Sequence, residues 1–138
     1  MRRMMILGLG LALLGTLATP GPALGQVPGP LLCAVITALE CGAEGECQRR
    51  TVESMNIPQF LKVDPAGKTV GAGDGSGRSA PVQSFERADG RMILHGGQGS
   101  RGWSATITEA TGRMSVAVVD DGVGFVLFGA CTPVEGMK

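Results

Sequence analysis

Two apolar-polar alternations carry the fold. Trp103-Ser104-Ala105-Thr106-Ile107-Thr108 is followed by Glu109-Ala110-Thr111-Gly112 and then by Arg113-Met114-Ser115-Val116-Ala117-Val118-Val119. Period-two alternation places Trp103, Ala105 and Ile107 on one face and Ser104, Thr106 and Thr108 on the other. Met114, Val116 and Val118 then pack beside the first set. The four residues between the runs, ending in glycine, form a turn. This is an antiparallel hairpin with one buried face.

The same unit recurs along the chain. Val82 to Ala88 and Arg91 to His95 flank Asp89-Gly90, a strong two-residue hairpin signal. Phe60 to Asp64 and Lys68 to Val70 flank Pro65-Ala66-Gly67, where proline sets φ and glycine tolerates positive φ. Gly122 leads into Val123 to Cys131, a run apolar on both sides, as expected of a central strand or one that touches a partner. Cys47 to Glu53 reads as a polar return strand. Leu32 to Cys41 alternates as a strand with Cys33, Val35, Thr37, Leu39 and Cys41 on one side, although Leu32, Ile36 and Leu39 also keep helical spacing. Gly71 to Gly77 and Gly96 to Gly102 read as flexible exposed loops, and Asn56-Ile57-Pro58 as a rigid corner. The expectation is an all-β domain. It is an antiparallel meander of about eight or nine short strands, closed as a small barrel or folded as a sandwich.

The start of the chain carries an address. Arg2 and Arg3 precede an apolar run, Met4 to Leu17, then Pro20, Gly21, Pro22 and the small-residue site Ala23-Leu24-Gly25. Residues 1–25 therefore read as a secretory signal peptide cleaved before Gln26. The apolar run is shorter than the ~20 residues that span a bilayer. Pro30-Leu31-Leu32 before Cys33 is no lipobox, so no stable membrane anchor is expected. Residues 26–30 form a Pro/Gly linker and residues 31–138 one β domain, located in the periplasm or secreted.

Loss of Arg2 and Arg3 takes two of the 12 basic residues and leaves the 12 acids, a net charge of about −2. Nucleic acid is therefore not an expected partner. All four cysteines, Cys33, Cys41, Cys47 and Cys131, follow the leader. An even count in an exported chain points to two disulfides, with three possible pairings. The favoured pairing is Cys41–Cys47, which would close a turn through Gly42 and Gly45, with Cys33–Cys131, which would tie the first strand to the last. Zinc is the rival reading, but Cys-x7-Cys and Cys-x5-Cys lack the close pairs of structural zinc sites.

No motif for chemistry holds. Gly67-Lys68-Thr69 lacks the earlier glycine of a phosphate loop, which is Lys62 here. Glycines 71, 73, 75 and 77 have no βαβ context. Asp74-Gly75-Ser76-Gly77-Arg78 places a cation where a calcium loop needs an oxygen, and its twelfth position is Phe85. His95, the only histidine, could serve as a general base near Ser100 and Ser104, yet it also simply ends a strand. Asp120-Asp121 and Glu44 with Glu46 read as solvated turn charges. Trp103, beside Arg101, is a core residue by its alternation or a surface anchor for a partner. Arg101, Trp103 and His95 are thus the candidate partner contacts. No catalytic, metal or cofactor residue is assigned, and no cofactor is expected.

The chain resembles small exported bacterial β-domain proteins marked by four features. These are a leading cysteine cluster (Cys33, Cys41, Cys47), an N-x-P-x-F-x-x-x-D corner (Asn56, Pro58, Phe60, Asp64), a W-S-x-x-I…T-G hairpin (Trp103, Ser104, Ile107, Thr111, Gly112) and a closing F-G-x-C strand (Phe128, Gly129, Cys131). That resemblance covers most of the mature chain and implies a fold without an activity. A looser architectural similarity is to periplasmic lysozyme inhibitors, which are small disulfide-tied barrels. The leading functional expectation is a non-enzymatic domain that binds another protein or an envelope component. The alternative is a carrier of a small apolar ligand inside a barrel, and a hydrolase using His95 comes third.

Overall fold

The computed structural model describes residues 28–134, so the signal-peptide reading of residues 1–25 lies outside them. Nine strands follow in order: β1 Leu31–Gly42, β2 Cys47–Arg50, β3 Phe60–Asp64, β4 Thr69–Ala72, β5 Ser79–Ala88, β6 Arg91–Gln98, β7 Arg101–Thr108, β8 Arg113–Asp120 and β9 Val123–Pro133. All pairings are antiparallel. From β3 to β9 each strand pairs with the next, and β9 returns to β1 along nearly its full length. Barrel, not sandwich, is therefore the architecture: β1 and β3–β9 close an eight-stranded wall, which removes free sheet edges along most of its length.

β2 is the ninth strand and an addition to that wall. The first half of β1 pairs with β3, the second half with β2. The seam between β1 and β9 is stapled where Cys33 and Cys131 stand in register, and they form a disulfide. Cys41 and Cys47, the last register pair of the β1–β2 hairpin, form the other. Both linkages follow from cross-strand register, which brings each pair of Cβ atoms within bonding reach.

The hairpin reading of the opening stretch holds residue by residue. Trp103 faces Val118, Ala105 faces Val116 and Ile107 faces Met114. Ile107 and Met114 are almost fully buried, as are Leu94, Val35 and Cys33. Each such aliphatic side chain contributes about 1.5–3 kcal/mol of burial. At Asp89-Gly90 both residues take positive φ (51° and 71°), the signature of a type I′ turn whose twist suits the flanking strands.

Alternation fails at two points, and both are bulges. In β1 the register slips at Ile36, between Val35 and Thr37. Val35 faces inward, Ile36 is 72% exposed, and Ala38, not Thr37, resumes the buried face at 3% exposure. The expected shared face of Cys33, Val35, Thr37, Leu39 and Cys41 is thus correct only for its first half. One inserted residue inverts the parity of everything after it. In β5 the slip lies at Gln83, between Val82 and Ser84, so Val82 and Phe85 are both turned toward the core.

Three local expectations are corrected. The positive φ in the β3–β4 turn falls on Lys68 (53°) and not on Gly67. At Gly67 the N–H donates to Asp64 Oδ1 at 2.9 Å, and a Cβ there would push against the Asp64 carboxylate and disturb that bond. Cys47 to Glu53 is a strand only to Arg50; beyond it the chain turns inward and buries Val52 and Met55. Glycines 96, 97 and 102 lie within β6 and β7, and Gly71 within β4, so the Gly-rich loops are shorter than composition suggests. Backbone pairing across β6–β7 runs to Gln98 opposite Arg101 and leaves only Gly99-Ser100 as the turn.

Candidate functional site

Inside the barrel lies a cavity of about 220 Å³. Its wall is apolar, with Leu61, Val63, Val70, Leu94, Trp103, Ala105, Val116, Val118, Phe125 and Leu127 among its residues. The strand period explains this. Residues two apart on β6, β7, β8 and β9 all turn inward, so one strand face from each contributes to a common lining.

Gly96 creates part of that shape. It sits between Leu94 and Gln98 in β6, opposite Trp103 in β7. A Cβ on Gly96 would meet Cε2 and Cζ2 of the indole and the Pro81 carbonyl oxygen. The missing side chain is what lets the Trp103 ring lie within the wall. Trp103 is partly buried, and its Nε1 is the one buried side-chain polar atom among the described residues without a hydrogen-bond partner.

The rim at one end of the cavity is polar. Asn56-Ile57-Pro58, Arg78, Ser79, Gln98 and Arg101 belong to its lining. Gln98 Nε2 donates to the Ser79 carbonyl at 3.0 Å, a side-chain bond beyond the end of the β5–β6 ladder at Val82–Gly96. It joins the chain beside Arg78 to the register partner of Arg101. Arg78 donates through Nη1 to Asn56 Oδ1 at 3.0 Å and pairs with Asp74 at 3.3 Å. Arg101 donates through Nε to Asp120 Oδ2 at 2.9 Å, and its Cζ stands 5.6 Å from the centroid of the Phe125 ring.

Both acids are held ionised. Hydrogen bonds from Ser76, with Arg78 adding to them, lower the Asp74 carboxyl to about 2. The Arg101 guanidinium, the Asp121 N–H and the Ser100 hydroxyl hold Asp120 below the usual carboxylate value. The Asp74 side chain is 46% exposed and that of Asp120 20%, and both arginine partners are more than 40% exposed, so these pairs fix loop geometry and contribute little net stability.

Of the three candidate contact residues, the fold joins two. Arg101 and Trp103 share the inward face of β7 and line the cavity. His95 faces the other way, exposed on the outer wall between Ser84 and Ser104 in register. Sequence reading missed Arg78, Gln98, Asn56 and Gly96. A signal existed for Gly96 and Gln98, because they continue the inward alternation of Met92 and Leu94.

A second recess, about 430 Å³, lies at the other end between Pro28, Leu31 and the Glu109–Gly112 turn. Part of its wall is turn backbone and the Arg87–Glu109 ion pair (2.6 Å), so it is a gap beneath a surface turn rather than barrel interior. Among the described residues, no three His, Cys, Asp or Glu side chains cluster as metal ligands, and no helix is long and apolar enough to cross a membrane.

Fold and site together define a closed antiparallel barrel with an apolar interior cavity and a polar rim. Comparison with protein-family models, with curated proteins and with solved structures gives no match.

Proposed function

We propose that this protein is a non-enzymatic binding domain, exported from the cytoplasm, which holds a small apolar ligand in its barrel. The observation that carries the reading is the 220 Å³ cavity with its apolar wall. A cavity of about 150 Å³ lined by aliphatic residues takes up benzene, so this one suits roughly nine non-hydrogen atoms. Two disulfides agree with an oxidising compartment, which supports export and a periplasmic or secreted location.

The test uses the sole tryptophan, which lines the cavity. Titration of the oxidised protein with toluene, naphthalene and octan-1-ol should shift Trp103 emission saturably. Native mass spectrometry of protein purified from its producing cells should show a chain starting at Gln26, with four hydrogens lost to two disulfides. Absence of any saturable shift across this series would remove the ligand reading.

A second reading rests on a different surface. Ile36, Phe60 and Phe128 are 72%, 47% and 43% exposed on the outer wall where β3, β1 and β9 meet. Such a patch supports contact with an envelope protein. Ile36→Asp with Phe128→Ser should then abolish capture of that protein while leaving ligand titration intact.

A further inference from the structure

We propose that the cavity's ligand is an amphiphile with an anionic head, a medium-chain or aryl monocarboxylate, whose carboxylate is received at the rim by Arg101 with Arg78 nearby. This rests on the binding reading above and names the ligand class.

The charged residues that line the cavity are both arginines. Their counter-ions, Asp74 and Asp120, are not part of that lining, so the charge presented inward at the rim is positive. Arg101 engages Asp120 through Nε alone. Among the described residues its two Nη groups have no hydrogen-bond acceptor, and the guanidinium lies over Phe125, itself a wall residue. N–H donors are therefore placed beside an apolar surface, the arrangement a carboxylate on an apolar chain would satisfy. Arg78 is more fully engaged, by Ser76, Asn56 and Asp74, and adds charge rather than open donors. The Gln98–Ser79 bond holds the two arginine-bearing segments against each other, so the head-group position is fixed before binding.

The ligand is thus oriented, with the apolar part directed toward Leu94 and Val116 and the carboxylate outward. An alcohol of equal length would fill the same cavity, but its hydroxyl brings neither the negative charge nor the second acceptor oxygen that the guanidinium donors would meet in a carboxylate.

The experiment compares octanoate with octan-1-ol on the intact oxidised protein at pH 7, followed by Trp103 emission and by calorimetry. Octanoate is expected to bind at least about tenfold tighter, which is about 1.4 kcal/mol. Arg101→Gln should bring octanoate to the level of octanol, whereas Lys62→Gln, on the outer wall, should preserve the preference. Circular dichroism melting verifies that each variant is folded, and the wild-type comparison stands without any variant. Equal affinity for the two probes overturns the anionic-head inference and leaves the apolar cavity in place. Retention of the preference in folded Arg101→Gln also overturns it. Binding of neither probe removes this inference, and with a blank hydrocarbon series it removes the ligand reading too.

Discussion

The indole of Trp103 occupies the space that a side chain on Gly96 would need. The two residues are register partners on β7 and β6, and a Cβ on Gly96 would lie 2.5 Å from Cε2 of the ring. The Pro81 carbonyl closes the other side of the same space, so the ring cannot be accommodated by a small shift of Gly96 alone.

Gly96→Ala should therefore displace the indole. The expected cost is about 1–3 kcal/mol in urea denaturation, the range for overpacking a filled interior. Trp103 emission should move to longer wavelength as the ring leaves the wall. Unchanged emission and stability would contradict the contact.

Trp103→Phe should be cheap for a substitution of the largest side chain in the barrel. The indole Nε1 is buried without a partner, a state that costs about 1–3 kcal/mol. Losing that donor offsets the apolar area lost with the smaller ring. Stability is expected within about 1 kcal/mol of the parent, whereas Leu94→Ala, at a fully buried position, should cost about 2–5 kcal/mol.

The bulge at Ile36 makes adjacent positions in β1 respond in opposite ways. Ala38→Lys would bury a charge against Leu127 and should cost more than about 3 kcal/mol or prevent folding. Thr37→Lys lies on the outward face and should cost less than about 1 kcal/mol. Simple alternation from Cys33 predicts the reverse, so thermal melts of the two variants decide between the registers.

The two disulfides should contribute unequally. Cys33–Cys131 joins residues 98 apart and Cys41–Cys47 residues 6 apart. Chain entropy assigns roughly 4–5 kcal/mol to the first and roughly 2 to the second. Cys33→Ala with Cys131→Ala should lower the denaturation midpoint about twice as far as Cys41→Ala with Cys47→Ala.

Acid should loosen the rim late. The Asp74 carboxyl is lowered to about 2 from its ordinary value of 3.8, so its contribution is complete above about pH 4 and is lost as pH falls through 2. Asp120, also lowered, follows the same direction. NMR signals of the Arg78 and Arg101 side chains should hold steady from pH 7 to 4 and change only below. A transition centred at the ordinary aspartate value of 3.8 would show that these pairs do not form.

By itself, the sequence determined the strands and most of their turns. Alternation in Trp103–Ile107 and Met114–Val118 fixes which side chains are buried, and Asp89-Gly90 and Gly122 are turns for local backbone reasons. Such signals depend only on neighbours along the chain. Of three possible cysteine pairings, the sequence also favoured the one formed, with Cys41–Cys47 closing a turn and Cys33–Cys131 tying the first strand to the last.

Only the tertiary structure decided closure, face inversion and the site. Pairing of β1 with β9 is a contact across almost the whole chain, and no local pattern distinguishes a closed barrel from a sandwich. Bulges at Ile36 in β1 and Gln83 in β5 are set by the partner strand's register, so alternation counted along either strand alone passes through them unaware. The rim gathers Asn56, Arg78, Gln98 and Arg101 from four separate segments. Asn56 reads alone as part of a rigid corner, Arg78 as a cation in a Gly-rich loop, Gln98 as a residue of another such loop and Arg101 as a partner contact; only the closing of the wall sets them around one apolar cavity.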